Sequence, residues 1–501
     1  MPAPTRILAT PPTRARWGHT TETGKLPLLV KKTRLVAVLG LLIVAVEYGA
    51  SEAVSSAAPP GPSRPNIVII MSDDQRWDTA TPQFMPNLNA DLVPNGITYT
   101  NAFVPDPACC PSRASTLTGN YSFTTGVWSN AGRFGGFDAF NARGNADETI
   151  ATDFEAAGYR TGLIGKYLNG YPEGRYGYVA PGWDTWFALG TGWYYNYYAA
   201  DNGAQSRLYG SSPADYSGRV LTNEAIEFIQ RPPASKPFLL YLAFEGPHAT
   251  SPRTQPAIPD PRDVGRFGLV WPNGQPPSYQ ERDVTDKPAY IQRSATRWNR
   301  SQVDELHVAQ ENATYSLDRS IGAIWDALPD HTYVLFVSDN GFLWGEHHWQ
   351  GKLVPYNESL RVPMVLAYKG PTPSIPAGTT DTRLALNVDY LPTLESLAGV
   401  SPVPGHTVEG QDLLTQTRTA FPIGMESGHG NVPTYCGVRS VTAAYVRYTT
   451  GEEELYDEVN DPFELANQVD NPDFASQLAE LRGEAQVMCS QGRFYPPDWP
   501  F

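Results

Sequence analysis

The sequence predicts an α/β protein with a mostly parallel mixed sheet flanked by helices, followed by a small α+β part. Three continuous apolar runs indicate strands buried on both faces, namely NIVIIM (66–71), FLLYLAF (238–244) and YVLFVS (333–338). Helix-like segments such as YSGRVLTNEAIEFIQ (216–230) lie between them. Strands that alternate with helices favour a parallel sheet, in which ligands bind beyond the carboxyl ends of the strands.

The composition is typical of a large globular protein. The 501 residues leave room for one large and one smaller domain, and hydrophobic residues make up 41% of the chain. The formal net charge is −15, and no long basic run occurs beyond the N-terminal region. This balance argues against nucleic acid as a general partner.

Residues 1–57 are predicted to be a leader and signal peptide. KKTR (31–34) supplies a charged region, LVAVLGLLIVAV (35–46) an apolar one, and small residues follow for cleavage. The apolar stretch of 12 residues is shorter than the ~18 that a membrane span requires, although a short anchor is the alternative. The start of translation is expected near Val30. The mature protein is therefore predicted to be secreted or held outside the cytoplasm in the cell envelope.

The rest of the chain is predicted to form a main domain (65–412) and a small C-terminal subdomain (413–501). A proline-rich linker, PPGPSRP (59–65), precedes the main domain, and a predicted helix close to its end stops at Gly399. The C-terminal subdomain contains short strand-like pieces and one late helix: RSVTAAYVRYTT (439–450), EELYDE (453–458) and FASQLAELRGEAQVM (474–488).

Two acidic clusters follow predicted strands. Asp73 and Asp74 come directly after the first strand, and Asp339 with Asn340 after the third. Carboxylate and amide oxygens are the ligands that Ca²⁺ or Mg²⁺ prefers, although each aspartate could instead cap a turn. Because such a cluster lies at the edge of the sheet, replacing Asp339 is expected to leave folding largely intact.

The segment CCPSRASTLTG (109–119) is predicted to open a helix that ends at Gly119. Cys109 is expected just ahead of the helix N-terminus, which attracts anions, and Arg113 lies one turn further along. Cys109 could be a nucleophile with a low pKa. A disulfide between Cys109 and Cys110, or two buried thiols, are the alternatives.

The same segment resembles the signature of the formylglycine-dependent sulfatases, Cys-x-Pro-Ser-Arg followed by Thr-Gly. PNIVIIMSDDQ (65–75), SDNGFLWGEHHWQGK (338–352) and ELYDEVNDPFELANQVDNP (454–472) resemble further motifs of that family, in the expected order. The resemblance implies an alkaline-phosphatase-like fold, with 65–412 as the catalytic domain. It also implies that a formylglycine-generating enzyme oxidises Cys109 to formylglycine (3-oxoalanine), with Cys110 as a packing residue beside it.

A narrower likeness concerns the N-acetylglucosamine-6-sulfatases and the heparan-sulfate 6-O-endosulfatases. GKYLNGY (165–171), PGWDTWFAL (181–189) and YYNYY (194–198) carry it. It implies a sulfated carbohydrate as the substrate, with a 6-sulfated amino sugar preferred. The chain departs from many sulfatases at Leu168, where they have a histidine, so one acid–base role lacks its usual residue.

The resemblance implies a role for each motif residue in hydrolysis of a sulfate ester. A hydrated formylglycine would attack sulfur with one hydroxyl and expel sulfate after deprotonation of the other. Arg113 and Lys166 would orient this diol, Lys352 and His248 would contact the ester with His248 as the acid, and Asn169 could bind a sulfate oxygen. The metal ligands, for Ca²⁺ with Mg²⁺ as the second option, would be Asp73, Asp74, residue 109, Asp339 and Asn340.

His347 is predicted to be the base for sulfate elimination, in place of the histidine that is missing at position 168. It is a motif histidine, and an unperturbed imidazole titrates near neutral pH. Of the two neighbours His347 and His348, either one could contact the ligand. An isolated histidine after a strand, such as His248, is otherwise most often structural, and an isolated lysine such as Lys352 is usually solvated.

Cys436 and Cys489 remain once Cys109 and Cys110 are assigned, and export implies an oxidising compartment, so they are predicted to form a disulfide. Two other functions stay open. The first is a phosphonate or phosphodiester hydrolase of the same superfamily, since some of these share the cysteine motif. The second is a non-catalytic secreted binding protein that keeps the fold and an unmodified Cys109.

Overall fold

The computed structural model describes residues 64–172, 174–190, 193–232, 236–250, 255–296, 299–426 and 431–501. The predicted leader and signal peptide (1–57) lie outside the described residues. No helix in these ranges is both long and apolar enough to cross a membrane. The boundary between residues 412 and 413 stays a prediction.

The described residues form one large sheet, a two-stranded ribbon and a small C-terminal sheet. The strands are β1 (Asn66–Ser72), β2 (Gly96–Phe103), β3 (Arg160–Lys166), β4 (Thr185–Leu189), β5 (Ala200–Asp201), β6 (Ala204–Gln205), β7 (Phe238–Ala243), β8 (Thr332–Ser338), β9 (Leu343–Trp344), β10 (Gln350–Gly351), β11 (Met364–Lys369), β12 (Thr379–Leu386), β13 (Ala420–Met425), β14 (Tyr435–Ser440), β15 (Ala443–Tyr448) and β16 (Glu453–Asp457). In the large sheet the strand order is β12-β2-β11-β8-β1-β7-β3-β4-β5-β6, and the five strands from β8 to β4 are parallel.

Helices cover both faces of the large sheet, as predicted. Ile67, Ile69 and Met71 of β1 pack into the apolar core on one face, whereas Val68 and Ile70 pack into the core on the other. The helices are α1 (Cys109–Thr118), α2 (Ser122–Thr125), α3 (Gly136–Ala142), α4 (Ile150–Ala156), α5 (Ser217–Gln230), α6 (Ala289–Ala295), α7 (Arg300–Ala327), α8 (Asn357–Leu360), α9 (Tyr390–Ala398) and α10 (Ala475–Met488).

The three apolar runs of the sequence are the adjacent central strands β7, β1 and β8. Ser72 pairs with Ser338, and Met71 with Ala243, so the carboxyl ends of these strands are level. Lys166, the last residue of β3, lies one position beyond the pairing of Gly165 with Ala243. The residues that follow these strands are therefore brought together at one edge of the sheet.

Helix α1 begins one residue earlier than predicted. Ala108 is in an extended conformation, and its carbonyl accepts the Ser112 N–H at 3.0 Å, so Cys109 is the first helical residue instead of preceding the helix. Pro111 lies in the first turn, where a missing N–H costs no helical hydrogen bond. Gly119 ends the helix in the left-handed region, with φ of 67°.

The C-terminal part is a four-stranded antiparallel sheet, β13-β14-β15-β16, with α10 packed on it. A disulfide joins Cys436 of β14 to Cys489, directly after α10, which confirms the predicted pairing. Cys109 and Cys110 are free thiols, so the alternative of a disulfide between these neighbours is wrong.

We expect the double variant Cys436→Ala/Cys489→Ala to be less stable than the wild-type protein by about 3–5 kcal/mol, because the crosslink restricts the unfolded chain. The crosslinked residues are 53 positions apart. Urea denaturation of both proteins measures the difference. An unchanged unfolding midpoint, in the absence of reducing agent, would contradict the expectation.

Candidate active site

Most of the residues predicted for the site meet at the carboxyl edge of the parallel strands. One ligand atom from each of Asp73, Asp74, Cys109 and His248 lies within 4.8 Å of the other three. All four side chains are buried. The hydrogen bonds around them bring in the remaining members of the cluster, which are Arg113, Lys166, Asp339, Asn340 and Lys352.

Arg113 connects three strand ends from its place in α1. Its Nε donates to Asp339 Oδ2 at 2.8 Å, its Nη2 lies 3.3 Å from Asp73 Oδ2, and its Nη1 donates to the Lys166 carbonyl at 2.9 Å. The guanidinium is fully buried. Burial alone would lower the pKa of Arg113, but Asp339 and Asp73 outweigh it and keep the charge.

Asp73 is the shared partner of the cations on this side. Lys166 donates to the same Oδ2 that Arg113 approaches. Burial would raise the pKa of Asp73, yet the charges of Lys166, His248 and Arg113 lower it to about 2. For Lys166 burial acts in the other direction and would lower the pKa. Nearby negative charge, that of Asp73 first, raises the pKa of Lys166 above its ordinary value. Both side chains are therefore charged at neutral pH.

Lys352 occupies the opposite side of the cluster. Its Nζ lies 2.7 Å from Cys109 Sγ, donates to Asn340 Oδ1 at 3.1 Å and pairs with Asp74. Asn340 Nδ2 donates to Asp74 Oδ1 at 2.7 Å. Burial would lower the pKa of Lys352, but nearby negative charge, that of Asp74 first, raises it above its ordinary value. Lys352 therefore keeps its positive charge. Lys352, which could have been an isolated solvated lysine, is therefore buried and forms an ion pair with Asp74.

The oxygen atoms of Asp73, Asp74, Asp339 and Asn340 fit a hard cation. They are buried, they come from two adjacent strand ends, and they converge on the ammonium groups of Lys166 and Lys352 together with Arg113. A set of three carboxylates and one amide oxygen suits Ca²⁺ or Mg²⁺ better than it suits metals that prefer nitrogen or sulfur.

Cys109 is not a low-pKa nucleophile in this setting. Burial, and then the negative charge of Asp73 whose Oδ1 lies 3.6 Å from Sγ, raise the pKa of the thiol to about 12. A protonated thiol is a poor nucleophile at neutral pH, which argues against this alternative from the sequence. Cys110 packs into the core, as predicted, and its N–H donates to Asn130 Oδ1 at 2.8 Å.

His248 follows β7 and points one ring nitrogen at the cluster. Its Nε2 lies 3.6 Å from Asp74 Oδ2, while Nδ1 contacts the carbonyl oxygen of Ala249. Because a carbonyl only accepts, Nδ1 carries a proton and Nε2 is the atom that can gain or lose one. The Tyr194 hydroxyl donates to the main-chain carbonyl of His248 at 2.6 Å, which fixes the position of the loop.

His347 and His348 lie elsewhere, which argues against their predicted role as base or ligand contact. His347 is fully buried, its Nδ1 lies 2.6 Å from Glu281 Oε2, and its ring stacks on Tyr356 at 4.2 Å. His348 Nε2 lies 2.8 Å from the Glu281 carbonyl. Both residues have φ of 52°, a left-handed conformation that the sequence did not predict.

Leu168 and Asn169 follow Lys166 closely. Leu168 is buried in the apolar core with Phe137 and Tyr167, so no acid or base takes the place of the histidine there. The Asn169 carbonyl accepts the Phe137 N–H at 2.8 Å, and its Oδ1 accepts no hydrogen bond within the described residues. Its role in substrate binding stays a prediction.

Two positioning residues, Tyr194 and Asn130, were not predicted. Tyr194 lies in the aromatic segment YYNYY, but nothing in that segment indicates a hydrogen bond to the loop that carries His248. Asn130 lies in a loop without a motif and reaches the first turn of α1. Such contacts between distant segments leave no pattern in the sequence.

Comparison with known proteins gives consistent matches. A family model described as Sulfatase matches residues 65–400, and one described as N-sulphoglucosamine sulphohydrolase, C-terminal, matches residues 345–491. A putative extracellular sulfatase Sulf-1 homolog of Caenorhabditis elegans is 30% identical over 364 residues, which cover 70% of this chain and 49% of that protein. An N-acetylglucosamine-6-sulfatase of Capra hircus is 29% identical over 361 residues, covering 69% of this chain and 62% of that protein.

The chain thus spans about half of the first relative and less than two thirds of the second. A solved structure, BT4656 in complex with its substrate D-glucosamine-2-N,6-O-disulfate, matches with a TM-score of 0.69 and 23% sequence identity. The match covers 85% of this chain and 97% of the other. At this identity the likeness concerns the fold, and it agrees with the fold predicted from the sequence.

We expect Asp339→Asn to lower the affinity for Ca²⁺ by ~10-fold or more, because one anionic ligand is lost while a neutral acceptor still faces Arg113. Isothermal titration of chelator-treated protein measures the affinity. Asp330→Asn, an exposed change near the start of β8, is the matched control and should bind Ca²⁺ normally.

The burial of Asp339 corrects the expectation that its loss leaves folding intact. Asp339→Ala removes the closest carboxylate partner of the buried Arg113, which typically costs about 3–5 kcal/mol of stability. Equal Ca²⁺ affinity in the Asn variant and the wild-type protein would show that the metal site is misassigned.

Proposed function

The chain belongs to the sulfatase family, and from this premise we propose that it hydrolyses sulfate monoesters of carbohydrates. The observation that carries the proposal is the position of Cys109 at the start of α1, between Lys352 and the carboxylates that follow β1 and β8. A 6-sulfated amino sugar is the preferred substrate class. The similarity to an N-acetylglucosamine-6-sulfatase supports that choice.

We further propose that Cys109 is converted to formylglycine by a formylglycine-generating enzyme. The raised pKa of the thiol supports this, since the unmodified residue would be unreactive at neutral pH. The hydrated aldehyde supplies one hydroxyl as the nucleophile and a second whose deprotonation releases sulfate. Within the described residues, Lys352 and Asp73 are the charged groups with a hydrogen bond to position 109. They would therefore orient those hydroxyls, a role that the sequence predicted for Arg113 and Lys166.

Asp73, Asp74, Asp339 and Asn340, together with the modified residue 109, would bind Ca²⁺, with Mg²⁺ as the alternative. The cation would polarise a sulfate oxygen and the hydroxyl at position 109. Arg113 and Lys166 fix the carboxylates on one side of this site. Lys352, with its raised pKa, keeps a positive charge for the sulfate group.

We assign His248 two proton transfers of the reaction. The proton of the attacking hydroxyl would pass to Asp73, whose Oδ1 contacts position 109. Its Nε2 faces the cluster, and a protonated Nε2 can donate to the leaving oxygen of the ester. His248 is then neutral, and the same Nε2 can accept the proton of the hydroxyl at position 109 when sulfate leaves. Leu168 is apolar and His347 lies beside Glu281, so within the described residues His248 is the histidine that contacts this cluster.

We also propose that the mature protein acts outside the cytoplasm. The apolar stretch near residues 35–46, followed by small residues, supports export. A relative described as an extracellular sulfatase is consistent with it, and so is the disulfide between Cys436 and Cys489.

The test of the function compares three substrates and one peptide mass. With the protein produced beside a formylglycine-generating enzyme, we expect turnover of an aryl sulfate and of glucosamine 6-sulfate, and a mass at position 109 that corresponds to the aldehyde. Cys109→Ala should lose activity without loss of fold. Faster turnover of an aryl phosphodiester would favour the rival hydrolase, and an intact thiol without turnover would favour a binding protein.

The double role of His248 predicts a kinetic burst. With an aryl sulfate, whose leaving group needs little protonation, His248→Ala should release about one equivalent of phenol rapidly and then turn over slowly. The slow phase should be ~10²–10⁴-fold below wild type, because general acid–base assistance is lost. His347→Ala serves as the comparison: a burst in that variant, and none in His248→Ala, would restore the role first predicted for His347.

A further inference from the structure

A second cluster of buried ligand-type side chains lies outside the candidate active site. It consists of His347, in the loop after β9, Glu358 of α8, and Glu464, which follows β16. One ligand atom from each lies within 4.8 Å of the other two, and all three residues are buried. Ligand atoms bound at about 2.0–2.2 Å to one four-coordinate ion lie roughly 3.3–3.6 Å apart, so a cluster this compact is compatible with one cation.

Each member presents a buried atom that makes no hydrogen bond with a described residue. His347 Nε2, Glu358 Oε2 and Glu464 Oε1 make no hydrogen bond within the described residues. Buried polar atoms are hydrogen-bonded in the great majority of cases, so an unbonded atom on each of three clustered residues indicates a missing partner. The other Glu464 oxygen, Oε2, accepts the Asn357 N–H at 2.8 Å, which fixes the carboxylate and leaves Oε1 available.

His347 is oriented as a metal ligand. Its Nδ1 lies 2.6 Å from Glu281 Oε2, and Lys287 Nζ lies 3.2 Å from Glu281 Oε1. A carboxylate oxygen at this distance accepts the Nδ1 proton, so Nε2 is the ring atom that remains to bind a metal. Metal-binding histidines commonly donate their other N–H to a carboxylate in this way.

Arg439 is held mainly by Glu458, a neighbour of the cluster. It is bound by both oxygens of Glu458, at 2.8 Å each, and lies 3.5 Å from Glu464 Oε1. Glu464 Oε1 accepts no hydrogen bond within the described residues, and neither does Glu358 Oε2. Both oxygens can therefore still bind a cation.

We propose that His347, Glu358 and Glu464 bind a zinc ion. Imidazole nitrogen combined with two carboxylates is a donor set that Zn²⁺ accepts readily, and three protein ligands leave a position for water. His347 and Glu358 lie on either side of Lys352 in the sequence, so the ion would tie both ends of the segment that carries this lysine to the C-terminal part. The site does not depend on the sulfate chemistry.

The test uses the full-length mature protein after treatment with a chelator. Addition of Co²⁺, a spectroscopic substitute for Zn²⁺, should give visible d–d absorption with one equivalent bound, and Zn²⁺ should displace it. Glu464→Gln and His347→Ala should abolish the signal. Glu281→Gln, which changes only the residue behind His347, should weaken binding by ~10–100-fold. Asp330→Asn, the exposed control used for the first cluster, and Asp339→Asn should retain the signal.

Two results would overturn the proposal. One is a Co²⁺ signal in the wild-type protein no stronger than in His347→Ala. The other is loss of the signal in Asp339→Asn together with its retention in Glu464→Gln, which would place the ion in the first cluster. If Glu464→Gln does not fold, anomalous diffraction at the zinc edge from wild-type crystals grown with Zn²⁺ decides: density between the three side chains supports the site, and its absence refutes it.

Discussion

The buried guanidinium of Arg113 is the interaction on which the candidate active site depends. It contacts the carboxylates that follow β1 and β8 and the carbonyl that ends β3. A fully buried charge is tolerated only when ion pairs and hydrogen bonds compensate its desolvation, and removal of one partner is costly. These contacts require the strands to end level, as the pairing of Ser72 with Ser338 shows. The position of α1, and of Cys109 at its start, is therefore fixed by charge as well as by apolar packing.

The charge balance of this cluster favours an anionic ligand once a metal is bound. The three carboxylates of Asp73, Asp74 and Asp339 face the three cations Arg113, Lys166 and Lys352, so the side chains alone are close to neutral. A divalent cation would make the site positive, in a chain whose formal net charge is −15. Such a local contrast draws an anion such as a sulfate ester to one place on an otherwise acidic protein.

Much of the fold and most of the site could be predicted from the sequence, because both depend on residues adjacent to strong patterns. The apolar run before Asp73 identified β1, and strand order then placed Asp339 beside it. The direction of the His347 side chain could not be predicted, since it follows from a left-handed φ in a loop. Tyr194 and Asn130 were missed because each contacts a segment far away in sequence. The burial of Asp339 also went unrecognised, since its ion pair with Arg113 joins residues 226 positions apart.

Within the described residues the C-terminal part contributes no side chain to the cluster around Cys109, yet its contacts help to determine where Lys352 lies. Lys352 belongs to the segment between His347 and α8, and that segment has little secondary structure of its own. Residues of the C-terminal part hold its far end: Glu454 accepts the Tyr356 hydroxyl at 2.8 Å, and Glu464 accepts the Asn357 N–H. A loop that must place an ammonium group against Asp74 and position 109 needs such anchors, because a displacement of about 1 Å at a catalytic group can cost ~10²-fold in rate. The small sheet thus anchors the segment that carries Lys352, the lysine proposed above to face the sulfate group.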